Sequence, residues 1–223
     1  MTSAPPARTD RSIKAAVQDE LAWTPDVDAD GVGVAVEDGA VSLAGEVDSY
    51  PERLAATRAA LRVRGVNAVV DNLAIHPDSR FSVSETDIAK EVAHALKWSA
   101  KVPDTVKAKI HGHHVTLTGQ VQWDFQRNTA VRAVQHLRGV TSVDNRITLS
   151  SRPSAADAEH RIKDAFQRNA QLDADNVNAT ISGNSVTLTG TVWSWAEKRQ
   201  AEMAAWASPH VTHVNNQIVV RAY

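Results

Sequence analysis

Cysteine is absent from the sequence. Its absence excludes disulfides, thiolate zinc sites, thiol nucleophiles and iron–sulfur clusters. Long apolar runs are also missing, because no stretch approaches the roughly 20 residues needed to cross a bilayer. The first residues, MTSAPPARTDRS, lack the basic start and the apolar stretch of a secretory signal. If this is the natural start, we expect a cytoplasmic protein, and peripheral association with a membrane stays open.

The sequence has neither a large net charge nor a recognisable catalytic motif. The 24 Lys and Arg residues nearly balance the 26 Asp and Glu residues, which gives a net charge of -2. The chain as a whole has no basic field, so we expect no nucleic-acid partner. The sequence contains no HExxH motif, no Walker A loop, no G-x-S-x-G elbow and no dinucleotide fingerprint. We therefore expect no enzymatic activity and no cofactor.

One phrase, Val-x-Leu-x-Gly-x-Val, occurs three times in the chain. Its glycines are Gly45, Gly119 and Gly190, spaced by 74 and then 71 residues. Another stretch of alternating apolar residues precedes each phrase, separated from it by a four-residue turn that contains glycine. Alternation at a period of two predicts a half-buried strand, and the short turn predicts a hairpin. Because each glycine lies on the apolar side of its strand, we expect a helix to pack directly over it.

Helices flank each predicted hairpin. An amphipathic helix precedes it, with apolar residues four apart: Ile13, Val17 and Leu21, then Ile88, Val92 and Leu96, then Ile162 and Phe166. An alanine-rich helix follows, at about 51–64, 126–138 and 196–207. A closing strand completes each repeat, at 69–75, 142–149 and 213–220. The sequence predicts an α+β fold of three tandem small α-β-β-α-β domains, each with a three-stranded mixed sheet packed on two helices.

The repeats define domains and resemble a known family. We expect domains at 9–76, 84–150 and 156–222, named copies one, two and three below. The repeated glycine strand, the capped alanine-rich helix and the closing Val-x-x-Val-x-Asn strand together resemble the BON domain, named for bacterial osmotically inducible and nodulation proteins. The resemblance covers nearly the whole chain, and it is to a protein of three tandem BON domains.

The resemblance implies a binding function linked to osmotic stress or transport. Members of the family are proposed to bind phospholipid or membrane surfaces, and many are periplasmic stress proteins. Another branch joins one such domain to a LysM domain and binds potassium in the cytoplasm. The resemblance favours a non-enzymatic stress protein that contacts phospholipid or envelope surfaces.

Aromatic and basic residues gather around the starts of the alanine-rich helices. Trp123 takes the position of the capping serines Ser49 and Ser194, which costs roughly 1 kcal/mol of helix stability relative to serine. We expect Asp124 to take over the cap through a one-residue shift. Two alternatives explain the aromatics: contact with a phosphate headgroup or partner, or burial where domains touch. The candidate surface is Tyr50, Arg53, Trp123, Phe125, Arg127, Trp193, Trp195, Lys198 and Arg199.

The other tryptophans, Trp23, Trp98 and Trp206, lie at or near predicted helix ends. We expect these three side chains to belong to the cores.

Two sequence features resemble metal sites. The segment DVDADGVGVAVE, residues 26–37, matches the calcium-loop pattern, with Asp26, Asp28 and Asp30 as candidate ligands. A calcium loop of this kind must lead into a helix, whereas the alternation after Gly31 predicts a strand. The alternative is an acidic turn between helix and strand. The turn HGHH, residues 111–114, could similarly hold a transition metal or be an ordinary polar turn.

Three functions remain open from the sequence. The first is the phospholipid or envelope binding described above, which we favour. The second is a cytoplasmic sensor of a cation, potassium or calcium, or of a small ligand, which would stabilise the fold on binding. The third is a structural or assembly protein, in which exposed sheet edges lead to a homo-oligomer.

Overall fold

The computed structural model of the chain describes residues 9–76, 83–150, 176–208 and 211–221. The chain forms two compact units. The first comprises Met1–Val47, Glu52–Ala74 and Ser154–Tyr223, which is nearly all of copy one together with copy three. The second comprises Asp48–Pro51 and Ile75–Pro153, which is copy two with a short segment of copy one.

Copy one has the predicted order of elements. Helix α1 (Asp10–Ala22) begins where the side chain of Thr9 accepts a hydrogen bond from the backbone N–H of Ser12. A short 3-10 helix (Ala29–Gly31) leads into the hairpin of β1 (Val32–Glu37) and β2 (Ala40–Val47), and α2 (Tyr50–Arg62) and β3 (Ala68–Ile75) follow. The sheet order is β1-β2-β3, with β1 antiparallel to β2.

Copy two repeats this arrangement. Its elements are α3 (Glu85–Trp98), β4 (Lys107–His111), β5 (His114–Val121), α4 (Asp124–Gln135) and β6 (Ser142–Leu149). Strand β5 lies in the middle, antiparallel to β4 and parallel to β6. The predicted mixed three-stranded sheet is therefore confirmed.

Copy three is described from its first strand onward. It contains β7 (Val177–Ser182), β8 (Ser185–Val192), α5 (Trp195–Trp206), β9 (His213–Asn216) and β10 (Val219–Val220). The predicted single closing strand is divided into β9 and β10, both parallel to β8. The helix predicted around Ile162 and Phe166 lies outside the described residues.

The closing strand of each copy contains the same local side-chain hydrogen bond. Each side-chain oxygen accepts a hydrogen bond from the backbone N–H two residues later, at 3.1–3.2 Å, and that later residue is buried. The pairs are Asp71 with Leu73, Asn145 with Ile147, and Asn216 with Ile218. Such local side-chain bonds compete with a regular ladder. In copy three the closing strand is interrupted at this point, between β9 and β10, whereas β3 and β6 are continuous.

The cores consist of aliphatic residues from the helices and from the middle strands. In copy two, Ile88, Val92 and Leu96 on α3 join Val115 and Leu117 on β5. Alanines of the second helices are buried as well, as in Ala56 and Ala59 on α2 and Ala201 on α5. None of the described polar or charged side chains is buried.

The repeated glycine has a different role from the one that the sequence suggests. Gly45 is exposed and has a φ of +131°, and a Cβ there would lie 2.1 Å from the carbonyl oxygen of Gly31. Gly119 and Gly190 have the same conformation and meet the carbonyl oxygens of Thr105 and Asn176 at 2.3 and 2.0 Å. The prediction of a helix packed over this glycine is wrong. Backbone conformation and the close approach of the chain entering the preceding strand require it.

Candidate functional site

The starts of the second helices were predicted to form the binding surface, and the structure shows how each begins. In copy three, the hydroxyl oxygen of Ser194 accepts a hydrogen bond from the N–H of Glu197, and the carboxylate of Glu197 accepts one from Trp193 N–H at 3.2 Å. The predicted capping box is therefore present. In copy two, Gln126 accepts hydrogen bonds from the N–H groups of Trp123 and Gln122, both at 3.0 Å.

The expected one-residue shift of the cap in copy two is wrong. Trp123 itself occupies the N-cap position, and Asp124 is the first helical residue. The carboxylate of Asp124 instead accepts hydrogen bonds from Arg127 and Asn128, the latter at 2.6 Å. An indole N–H can only donate a hydrogen bond, so Trp123 provides no side-chain cap, and the reach of Gln126 back to the entering chain is the half of a capping box that remains.

Most of the predicted cations at these helix starts bind groups of the protein. Arg53 donates from Nε to both carboxylate oxygens of Asp71, at 3.0 and 2.9 Å. Arg127 forms an ion pair with Asp124. Lys198 donates to the carbonyl oxygen of Ile218 at 2.7 Å. These contacts tie α2 to β3, close the first turn of α4 and tie α5 to the end of its sheet.

The predicted aromatics also make contacts inside the compact units. In the first unit, Trp195 donates from Nε1 to the carbonyl oxygen of Val66 at 3.1 Å, which links copy three to copy one. The ammonium of Lys198 lies 5.2 Å from the Trp195 ring. In the second unit, Tyr50 packs against the core of copy two. Tyr50 and Trp195 each lie five residues after the repeated glycine, so one repeat position supplies both contacts.

Some of the predicted surface stays open to solvent. Phe125 is 52% exposed, and Arg199 is exposed. Trp123 and Trp193 are partly buried, and both take part in further interactions. The structure therefore brings the predicted residues to the helix starts, and only Phe125 and Arg199 among them are exposed.

Two tryptophans predicted to be buried are instead exposed. Trp23 follows α1 and Trp98 ends α3, and they are 86% and 76% exposed. Each lies two residues beyond the last core residue of its helix, Leu21 or Leu96. A step of two residues turns about 200° around a helix axis, onto the opposite face. The prediction holds better for Trp206, which is partly buried and packs against the core of copy three.

Exposed lysines lie close to Trp98 in the sequence. Lys97 precedes it, and Lys97 and Lys107 line a groove of about 390 Å³ between α3 and β4 together with the acidic Asp104. Lys101 and Lys109 are also exposed. The ring of His94, one turn back on the helix, lies 5.4 Å from the Trp98 ring, tilted by 41°. Periodicity alone could have placed Trp98 outside the core, since it falls off the stripe of Ile88, Val92 and Leu96.

The predicted calcium ligands form an acidic turn. The side chain of Asp28 accepts a hydrogen bond from the N–H of Asp30 at 3.2 Å and caps the short 3-10 helix. The N–H of Asp28 donates to Glu52 at 2.9 Å. Strand β1 then carries Glu37, the acidic residue that ends the calcium-loop pattern, roughly 20 Å away, at about 3.3 Å per residue. A calcium site at Asp26, Asp28 and Asp30 stays a prediction.

The hairpin histidines are held by separate protein groups. His113 Nδ1 lies 2.8 Å from the carbonyl oxygen of Gly139, and His114 Nδ1 contacts the hydroxyl of Ser142. His111 is exposed at the end of β4. Throughout the part of the chain that the structure describes, no group of three or more His, Asp or Glu side chains is arranged to hold a metal ion.

The comparisons with solved structures give weak likenesses. One is the C-terminal domain of CdsD, described as the structural protein of the type III secretion system of Chlamydia trachomatis. It is 12% identical, with a TM-score of 0.26, and the match covers 96% of this chain and 100% of that chain. A second CdsD structure is 12% identical with a TM-score of 0.27, covering 93% and 91%. TM-scores this low do not support a conclusion about the fold or the function of this chain.

The comparison with protein families is specific. No curated protein matches the chain. None of the described helices has the length and apolar character needed to span a membrane. The family model of the BON domain matches three consecutive segments, residues 9–77, 84–151 and 154–222. These segments contain the three repeats of strand, glycine and capped helix, and the chain accordingly belongs to the BON domain family.

Proposed function

We propose that this protein is a non-enzymatic binding protein that contacts anionic phospholipid or an envelope surface, with copy two as the contacting domain. The observation that carries the proposal is Trp98, 76% exposed at the end of α3, in a domain whose Lys97, Lys101, Lys107 and Lys109 are also exposed. Membership of the BON family, a family of non-catalytic, binding-type domains, supports the same class of function.

The chemistry of this surface suits a membrane interface. The amphipathic indole of tryptophan favours the headgroup region of a bilayer. Lysines near an anionic surface contribute about 1 kcal/mol each, and Lys97, Lys101, Lys107 and Lys109 are all exposed. Copy two has nine Lys and Arg residues against six Asp and Glu residues, a net charge of +3 with histidine neutral. A local basic field therefore exists although the whole chain is slightly acidic.

The helix-start surface predicted from the sequence remains part of the proposal through Phe125 and Arg199. Both are exposed. The other three cations at the helix starts already bind groups of the protein. Arg53 and Arg127 form ion pairs and Lys198 donates to a carbonyl oxygen, so their attraction for a phosphate headgroup is weaker. We therefore rank the Trp98 surface above the helix starts.

Co-sedimentation of the intact chain with vesicles tests the proposal. Vesicles of phosphatidylcholine alone are compared with vesicles that also contain phosphatidylglycerol, across a series of salt concentrations. We expect binding that requires the anionic lipid and weakens as salt rises, because salt screens exposed charges. Phe125→Ala is compared with Trp98→Ala to rank the two surfaces. Equal binding to both kinds of vesicle, or none to either, would remove the proposed function.

A further inference from the structure

A cavity in the second compact unit is lined mainly by aromatic and aliphatic side chains. Its volume is about 640 Å³, within the roughly 300–1,000 Å³ typical of small-ligand pockets. All the residues that line it belong to this one unit. The groove lined by Lys97 and Lys107 shares none of them, so the cavity is separate from the surface proposed above. Its apolar wall consists of Tyr50, Pro51, Ile75, Val83, Leu137 and Val140.

The permanent charges at the cavity are balanced. One arginine, Arg138, and one carboxylate, that of Asp48, line it, and both already take part in interactions of the protein. His113 and His136 each have one ring nitrogen 2.8 Å from another protein group. A charged ligand would lose its hydration here without gaining a partner of opposite charge. The cavity therefore favours a neutral ligand.

The turn between the second helix and the closing strand has the same conformation in copies one and two. Gly65 and Gly139 have φ values of +96° and +84°. The N–H of the next residue, Val66 or Val140, donates to the carbonyl oxygen three residues earlier, at 3.3 and 3.2 Å. Both valines are buried. The carbonyl group of Val140, which lines the cavity, is therefore the structural equivalent of the carbonyl group of Val66.

The two equivalent carbonyl oxygens differ in their partners. In the first unit, the indole of Trp195 donates from Nε1 to the Val66 oxygen at 3.1 Å. In the second unit, Tyr50 from the same repeat position lies at the turn of copy two. Within the part of the chain that the structure describes, neither the Tyr50 hydroxyl nor any other donor forms a hydrogen bond with the Val140 oxygen.

A buried carbonyl oxygen without a donor is costly. An added molecule that carries a donor can satisfy the Val140 oxygen. Because the surrounding wall is apolar, the donor is best carried by an apolar ring. Trp195 at the Val66 oxygen shows that an indole ring meets both requirements at this turn.

We propose that this cavity binds a small neutral aromatic compound with one N–H donor, of the indole class. The apolar wall holds the ring, and the Val140 carbonyl oxygen accepts the hydrogen bond. Copy one has no free counterpart of this site, because Trp195 already binds the Val66 oxygen.

A nuclear magnetic resonance titration of the intact chain tests this assignment. The probe is indole, and the matched control is 1-methylindole, which has the same ring without the N–H. We expect saturable shifts of the Val140 carbonyl carbon and the Thr141 amide with indole, and at least about fivefold weaker binding of 1-methylindole because one hydrogen bond is lost. Equal binding of the two compounds would overturn the proposal. So would the absence of shifts up to about 10 mM indole, well above the roughly 1 mM of a weak site.

Charged relatives of indole test whether the site selects a neutral ligand. The anion indole-3-acetate and the cation tryptamine should each bind at least about tenfold more weakly than indole, because Arg138 and Asp48 already interact within the protein. Tighter binding of either charged compound than of indole would show that charge selects the ligand and would contradict the assignment.

A substitution that fills the cavity gives an independent test. Tyr50→Trp places an indole at the turn of copy two, as Trp195 does at the turn of copy one. We expect a higher melting temperature and at least about tenfold weaker binding of added indole, because the new side chain occupies the site. Tyr50→Phe is the matched control and should bind indole within about twofold of the unaltered chain. Full indole affinity in Tyr50→Trp, or a melting temperature below that of the unaltered chain, would count against the site.

Discussion

Copies one and two place a tryptophan at the same point of the same helix, in opposite electrostatic surroundings. Trp23 and Trp98 are both exposed at the end of the first helix of their copy. Copy one has six Lys and Arg residues against twelve Asp and Glu residues, a net charge of -6, whereas copy two has a net charge of +3. The same fold therefore exposes Trp23 in an acidic domain and Trp98 in a basic one.

What the two copies share is a set of backbone requirements. Gly45 and Gly119 have φ values of +131° and +130°, and each meets a carbonyl oxygen closer than a side chain allows. Asp10 in copy one and Glu85 in copy two both accept hydrogen bonds from the N–H groups of the hairpin turn, at 2.9–3.0 Å. The shared positions follow from the fold.

The largest effect is expected at the repeated glycine. Gly119→Ala should lower the free energy of unfolding of copy two by at least about 3 kcal/mol, because the added Cβ meets backbone at 2.3 Å and the φ is unfavourable as well. Gly45→Ala should do the same in copy one. Urea unfolding followed by tryptophan fluorescence measures both. The matched control is Gly183→Ala, at a turn with φ +59° and nothing within 4 Å, where strain alone should cost about 1 kcal/mol. A cost for Gly119→Ala no greater than the control would show that the carbonyl can move away.

The two tryptophans should differ on membranes. Trp98→Ala should weaken binding to anionic vesicles about tenfold, since withdrawal of one large apolar side chain removes roughly 1.5 kcal/mol. Trp23→Ala should change binding less than about twofold, because the acidic surroundings keep copy one away from an anionic surface. Co-sedimentation measures both variants at equal salt. Equal losses would show that exposure, and not charge, decides the contact.

The exposed Lys101, three residues after Trp98, should act through charge alone. Lys101→Gln should weaken vesicle binding about fivefold at low salt, which corresponds to about 1 kcal/mol. The difference from the unaltered chain should shrink as salt rises, because the Debye length falls. The control is Lys14→Gln in copy one, for which we expect little change. A loss at Lys101 that persists at high salt would point to a specific hydrogen bond instead.

The spacing of apolar residues predicts the helices and strands well, because only one face of each element is buried in the core. The stripe of Ile88, Val92 and Leu96 is buried as predicted, and the alternation around Val115 and Leu117 yields β5. The same logic applied strictly would have excluded Trp98 from the core. The expectation that Trp98 is buried was wrong because it used the hydrophobicity of tryptophan and ignored its position on the helix.

The candidate site was harder to predict because its contacts join residues far apart in the chain. The bond from Trp195 to Val66 and the packing of Tyr50 on the core of copy two have no local sequence signal. The sequence also could not show why the glycine is repeated. The contact is made by a backbone carbonyl oxygen, which every residue type has. The hairpin turn of copy two is unusual in its sequence. Gly112-His113 reverses the order of Asp38-Gly39 and places a histidine at the position where glycine is favoured.

The smallest expected effects come from exchanging these hairpin turns. His113→Gly should stabilise copy two by about 0.5–1 kcal/mol, because glycine adopts φ +70° without strain. The reverse change in copy one, Gly39→His, should be destabilising by more than this, since its Cβ would meet Asn67 and the Gly65 carbonyl oxygen. Urea unfolding of the two variants gives both free energies. If Gly39→His were tolerated, Asn67 and the Gly65 carbonyl oxygen would be able to move away from the added side chain, and their contacts would not explain why copy one has glycine at this turn.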